Sequence, residues 1–179
     1  NLKMLGQKFD KVVVVLNVGG IIDTNFFTGK GGYGEDDELN RAKIEGLDSL
    51  VLMSQAGQNG GRAIVEILNG SVNPSGKLTD TWAINFEDYP SSETFSYLDD
   101  DTYEEFYTED IYVGYRYFDT FGKDVAYPFG YGMSYTTFSI DVQDVTADAD
   151  TVTVTANVTN TGSVDGKEVV EVYFSAPAG

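Results

Sequence analysis

The chain has no histidine and no cysteine, so acid–base chemistry in it falls to carboxylates, tyrosines or lysines. Serine–histidine and cysteine–histidine arrangements, the common zinc sites and any disulfide framework are excluded. The richest concentration of reactive groups lies between Leu78 and Tyr115, which holds no Lys or Arg. Among its acidic residues are Glu87, Asp88, Glu93, Asp99, Asp100, Asp101, Glu104, Glu105, Glu109 and Asp110, interleaved with Tyr, Phe and Trp. Asp99 and Asp101 begin like a calcium loop. Tyr103 stands where a third ligand belongs, however, and the turn glycine is missing, so the segment reads as a solvated acidic loop. Aromatic rings beside carboxylates would also suit a sugar-contacting rim.

Two glycine patterns suggest phosphate binding and fail on context. Gly29-Lys30-Gly31-Gly32-Tyr33-Gly34 has the dinucleotide spacing. About ten residues separate it from the preceding strand, and Glu35-Asp36-Asp37-Glu38 would repel a pyrophosphate. Gly70 to Gly76-Lys77 is one residue too long for a P-loop, and Leu78 replaces the hydroxyl that would meet magnesium. With 29 acidic against 11 basic residues and a net charge of −18, nucleic acid and anionic membranes are poor partners. No apolar run approaches a membrane span, and the first residues do not read as a signal peptide.

The elements that must position these groups follow from periodicity. Leu2, Leu5 and Phe9 are helically spaced, as in the tail of a helix. Lys11–Val18 is a β-branched run of the kind buried on both faces of a sheet. Ser49–Ser54 is its expected parallel neighbour, reached by a crossover with a helix near Asp37–Glu45. Gly57, Gly60 and Gly61 then allow a tight turn, with Asn59 as an N-cap. Ala63, Ile64, Ile67 and Leu68 form an apolar helical stripe, Gly70 a left-handed stop, and Asn73-Pro74-Ser75-Gly76 an ordered turn. Tyr112–Phe118 alternates like a strand, and Pro128–Tyr135 reads as a packed aromatic turn. Phe138–Val145, Thr151–Thr159 and Lys167–Phe174 are Thr/Val-rich with period two, as in an antiparallel sandwich.

Three ordered blocks carry a resemblance. Ala56-Gly57-Gln58 with Gly60-Gly61 and Asn73-Pro74-Ser75-Gly76-Lys77-Leu78 form the first. The others are Tyr112-Val113-Gly114-Tyr115-Arg116-Tyr117-Phe118-Asp119 and Pro128-Phe129-Gly130-Tyr131-Gly132-Met133-Ser134-Tyr135-Thr136-Thr137-Phe138. Together they resemble the α/β-sandwich domain of glycoside hydrolase family 3. Asn157-Val158-Thr159-Asn160-Thr161-Gly162 and Gly166-Lys167-Glu168-Val169-Val170 are similar to the fibronectin type III-like domain that follows it in that family. Glu109-Asp110 departs from the family's usual Glu-Gly. Ser54-Gln55-Ala56-Gly57 and Asp80-Thr81-Trp82-Ala83 resemble a bacterial subgroup in which the barrel comes last, most of whose members look like β-glucosidases.

The resemblance implies an α/β fold, a partial open and mainly parallel sheet with helices on both faces, followed by a partial all-β fibronectin type III-like sandwich. Residues 1–137 would be part of the α/β-sandwich domain, 98–137 an extended connection, and 138–179 the start of the second domain. Such a sandwich needs about seven strands and roughly 100 residues, so the chain reads as a fragment. Retaining glycosidases use two carboxylates about 5–5.5 Å apart. The resemblance implies an aspartate nucleophile on a separate barrel. It puts the acid/base glutamate in a Gly-Glu-Gly-like motif ahead of the strand at Lys11–Val18. Neither motif occurs here, so no catalytic, cofactor-binding or metal-ligating residue is assigned.

The expected role is that of a non-catalytic portion of a retaining exo-acting β-glycosidase that helps form the cleft. Its partners would be the parent enzyme's barrel domain and remaining strands, the carbohydrate substrate and, in an oligomer, a second copy. The competing reading is a stand-alone carbohydrate-binding or adhesive module resting on Glu87–Tyr117. A flavodoxin-like nucleotide or response-regulator domain fits only the first strand–helix units. Asn69-Gly70-Ser71 and Asn157-Val158-Thr159 are formal glycosylation sequons. The compartment stays open between bacterial cytoplasm and secretion.

Overall fold

A computed structural model describes residues 1–31, 43–96 and 102–175. The chain divides into two compact units, Asn1–Gly61 with Leu78–Phe129, and Arg62–Lys77 with Gly130–Gly179. In chain order the first holds helix α1 (Leu2–Lys8), strand β1 (Val13–Leu16), the short helix α2 (Asn25–Thr28) and strand β2 (Ser49–Leu52). Helix α3 (Gly60–Leu68) follows, with most of its residues in the second unit. The first unit resumes with strand β3 (Trp82–Ala83), a 3-10 turn (Phe86–Asp88), helix α4 (Tyr115–Thr120) and strand β4 (Val125–Tyr127). The second unit ends in the hairpin β5 (Phe138–Ala147) and β6 (Val152–Asn160).

β1 and β2 pair in parallel, Val13 opposite Ser49 and Leu16 opposite Leu52, as the two β-branched runs predict. Asp48 fixes the start of this register. Its carboxylate accepts the Val12 N–H and the Lys11 ammonium, each at 2.8 Å. Val12, Leu16 and Leu47 are buried, but Val13 and Val15 remain solvent-accessible. The run was expected to be covered on both faces; the alternation shows one covered face and one open one. The helix expected near Asp37–Glu45 falls largely outside the described residues, and the described Lys43–Glu45 are not helical.

The expected strand at Tyr112–Phe118 is instead the approach to α4 and most of the helix itself. Gly114, at φ 59° and ψ −136°, turns the chain in a region that side chains exclude. At the other end Gly122 is left-handed. The Lys123 N–H reaches the Phe118 carbonyl at 2.9 Å, and the Gly122 N–H reaches that of Asp119 at 3.4 Å, the two bonds of a Schellman stop. Helical spacing pairs Tyr117 with Phe121 at 5.1 Å between ring centroids. It also buries Phe118, 1% exposed, edge-on against Tyr89. β3 and β4 pair antiparallel with a bulge between Trp82 and Ala83, and Trp82 meets Tyr127 edge to face.

In the second unit the expected helix and its left-handed Gly70 are both present. Ile64 and Ile67 are half-buried, whereas Ala63 and Leu68 are exposed. The β5–β6 hairpin sorts its side chains cleanly. Phe138, Ile140, Val142, Val145 and Ala147 lie opposite Asn160, Val158, Ala156, Val154 and Val152; Ser139, Asp141, Asp144 and Thr146 lie opposite Thr159, Asn157, Thr155 and Thr153. A bulge at Gln143, between the paired Val142 and Asp144, keeps Val142 and Val145 on the same face. The Asp148 carboxylate closes the turn by accepting the N–H groups of Asp150 and Thr151. The third expected strand, Lys167–Phe174, is not a strand among the described residues. A strand needs a backbone ladder. This segment is held by side chains of residues 73–77, to which Lys167 and Glu168 bond.

Candidate functional site

The first unit contains an apolar cleft of about 580 Å³ between the loop after β1 and the turn after β3. Ile22, Ile84, Phe86 and Phe95 supply its greasy wall, and Asp23, Asn85 and Tyr89 its polar groups. Each polar group also holds the wall in place. Asp23 accepts the Asn25 N–H at 2.7 Å and the Asn25 side-chain amide at 3.1 Å, starting α2. Asn85 and Asp88 cap the 3-10 turn reciprocally. The Tyr89 hydroxyl accepts the Ala83 N–H at 2.9 Å and donates to the Thr81 carbonyl at 3.1 Å. It thereby satisfies backbone groups on both sides of the β3 bulge. Burial pushes its acidity down, raising the pKa above the ordinary tyrosine value, with Asp80 and Asp88 adding to the effect.

A general acid in this cleft would need a carboxyl held above its usual range. Asp48 and Glu168, neither of which lines this cleft, are displaced the other way. The Lys11 ammonium and then the Val12 N–H lower Asp48. The Val169 N–H and then the Lys77 ammonium lower Glu168. These are structural ion pairs. No cluster of three or more metal-ligating side chains occurs among the described residues, and Asp99–Asp101, where the calcium reading began, lies outside them. Gly29 ends α2 as its left-handed cap, rather than joining a strand to a helix as a dinucleotide loop does. Of the acidic stretch, the described Tyr103, Phe106 and Tyr107 are exposed. Lys77, the lysine of the P-loop-like spacing, is committed to protein partners.

Those partners belong to the second unit, where the turn after α3 acts as a hub. Asn73 Oδ1 accepts the Ser134 hydroxyl at 2.9 Å and the Tyr135 N–H at 2.8 Å, while its amide donates to the Asp165 carbonyl at 3.0 Å. The Ser75 hydroxyl accepts the Lys167 N–H at 3.2 Å. Lys77 Nζ donates to the Gly132 carbonyl at 2.7 Å and pairs with Glu168 at 3.0 Å, the two side chains being 16% and 15% exposed. The Tyr135 hydroxyl donates to the Ile67 carbonyl at 2.9 Å near the end of α3. The sequence shows a turn at 73–76 and a packed aromatic turn at 128–135, but not that one binds the other.

A family model described as the glycosyl hydrolase family 3 C-terminal domain matches residues 2–135. The chain belongs to glycosyl hydrolase family 3. Beta-glucosidase A of Butyrivibrio fibrisolvens is 44% identical over 99% of this chain, which spans 22% of that protein. An exo-alpha-(1->6)-L-arabinopyranosidase of Bifidobacterium longum is 46% identical over 65% of the chain, spanning 15% of its own length. The crystal structure of a Bifidobacterium adolescentis GH3 beta-glucosidase superposes with a TM-score of 0.73 at 35% identity, covering 92% of this chain and 22% of that one. The chain thus spans about a fifth of the β-glucosidases it matches. Within the family-matched residues, the turn Asn73–Lys77 and the segment Ser134-Tyr135 hold the second unit together through the bonds at Asn73 and Lys77.

Proposed function

We propose that this family 3 chain is a non-catalytic portion of a retaining, exo-acting β-glycosidase that releases terminal β-glucosyl residues. The nucleophile and acid/base lie in parts of the enzyme beyond residues 1–179. The observation that carries this reading is the near-complete alignment of the chain with a β-glucosidase of which it forms only about a fifth. The likeness to an arabinopyranosidase is consistent with a segment shared by enzymes of different sugar specificity.

In this reading residues 1–137 are part of the α/β-sandwich domain. Residues 138–179 open a fibronectin type III-like sandwich. The β5–β6 hairpin supports the second assignment, because one face is uniformly polar and the other is apolar and exposed, as in a sheet that packs on a second sheet. The remainder of the parent enzyme supplies that cover, and carbohydrate is the substrate of the intact molecule. The test is covalent trapping with a 2-deoxy-2-fluoro-β-glucoside on the parent enzyme and on the 179-residue chain. Labelling of the parent at a carboxylate outside residues 1–179, with no label on the chain alone, is the expected result. A labelled Asp or Glu within residues 1–179 would overturn the proposal.

A further inference from the structure

We infer that Asp165-Gly166 is the principal site of spontaneous backbone isomerisation in this protein, and that its conversion opens the hub around Asn73. The chain contains three asparagine or aspartate residues followed by glycine, the pairs Asn59-Gly60, Asn69-Gly70 and Asp165-Gly166. In each, the glycine nitrogen can attack the preceding side-chain carbonyl, because glycine leaves the approach unhindered. In an unstructured chain the asparagine pairs react first, ammonia being lost more readily than water. The fold reverses that order. The Gly60 N–H is tied to the Gly57 carbonyl at 3.1 Å and the Gly70 N–H to the Ile67 carbonyl at 3.0 Å. The Asn69 side-chain oxygen is also engaged, accepting the Ser71 N–H at 2.9 Å. Both nucleophiles are therefore held away from attack.

Asp165 and Gly166 lie in an exposed irregular segment, and no hydrogen bond from the Gly166 N–H is formed among the described residues. In the reaction the Gly166 nitrogen bonds to Asp165 Cγ, and the carboxyl hydroxyl leaves with the amide proton as water. A second water then opens the succinimide. Attack at Cγ restores aspartate. Attack at the main-chain carbonyl breaks its bond to nitrogen and leaves isoaspartate, with one extra methylene in the backbone. Atoms and charge balance without an outside reagent. The product alters the hub at two points. The Asp165 carbonyl that accepts the Asn73 amide becomes part of a free carboxylate, and the lengthened chain displaces the Lys167 N–H from Ser75. Glycine is itself required here, since a side chain at 166 would run into the Asn73 amide.

The experiment is ageing of the purified protein at 37 °C in mildly acidic and neutral buffer, followed by peptide mapping and methylation by an isoaspartyl methyltransferase. The same protein held unfolded in urea serves as the reference, and Asp165→Glu as the variant that cannot form the five-membered ring. In the native sample isoaspartate is expected at 165 before product accumulates at 59 or 69, with the order reversed in urea. Asp165→Glu should abolish the methylated 165 peptide and leave hydrogen exchange at residues 167–171 slow, whereas the aged wild-type protein exchanges faster there. Native conversion led by Asn59 or Asn69, or unchanged exchange after Asp165 has converted, would overturn the proposal.

Discussion

Lys77 and Glu168 illustrate how a single pair of charges sets a pH limit on this molecule. The ammonium and carboxylate are largely removed from solvent, and the Val169 N–H adds to the hold on the carboxylate. The folded state therefore keeps Glu168 ionised at a pH where the unfolded chain has begun to take up its proton. Stability from this group is fully present above the ordinary glutamate range and drains away as pH falls through the lower folded value. Glu168→Gln should cost about 1–3 kcal/mol near neutrality, the scale of leaving one charged partner underserved. The deficit should shrink in acid, where wild type loses the same contribution. Urea unfolding at several pH values checks this; coincident stabilities at all pH values would show that the pair contributes nothing, and a constant offset that its contribution does not depend on the Glu168 charge. At this scale the sequence was only half legible. Lys77 and Glu168 are both plain in it, but 91 positions separate them, and no local rule joins residues so far apart.

α4 shows where local reasoning misled. From Tyr112 the residues alternate in size, which is a strand's signature. Yet the decisive signals were the glycines, at 114 before the helix and 122 after it. Aromatic residues at positions 117, 118 and 121 satisfy helical spacing equally well, and tertiary burial of Phe118 chooses between the two periods. Gly122→Ala would force a side chain into the left-handed region, at a cost of about 1–2 kcal/mol, and should fray the last turn of α4. A lower midpoint in denaturant with an unchanged m-value is the expected readout. Stability equal to wild type would mean that the stop is not needed. By contrast, β1 and β2 were legible as short apolar runs and α3 as an apolar stripe at three- and four-residue spacing, although the run at β1 did not reveal that one of its faces is open. The cleft could not be foreseen, since its walls come from the two distant segments around Ile22 and Ile84.

At the scale of the molecule, two opposing tendencies govern behaviour in solution. Val142, Val145 and Val152 leave the apolar face of the hairpin 63%, 59% and 64% exposed, which favours association of the isolated chain. A net charge of −18 opposes it through repulsion that salt screens. Sedimentation velocity should therefore show larger species as sodium chloride rises, and Val145→Lys should suppress them. Association that weakens with salt would point to charge pairing instead. The α/β character, the parallel pair and the β-rich end were all readable in the sequence. The lack of a third strand at Lys167–Phe174 was not, because pairing depends on a partner rather than on the spelling of one segment. The bulge at Gln143 has a consequence for changes of chain length. Asp144 and Val145 already face Thr155 and Val154, the neighbours that would follow Ala156 in an unbroken ladder. Removing Gln143 would leave every remaining residue of β5 with its present partner, so a one-residue deletion is tolerated at 143. The same deletion at Asp141, even with the bulge closed to absorb it, would move Val142 to the polar face opposite Asn157 and Gln143 to the apolar face opposite Ala156. A pair of deletion variants compared by circular dichroism and thermal melting should therefore separate sharply, and relatives can differ in length by one residue at that position without a change of fold.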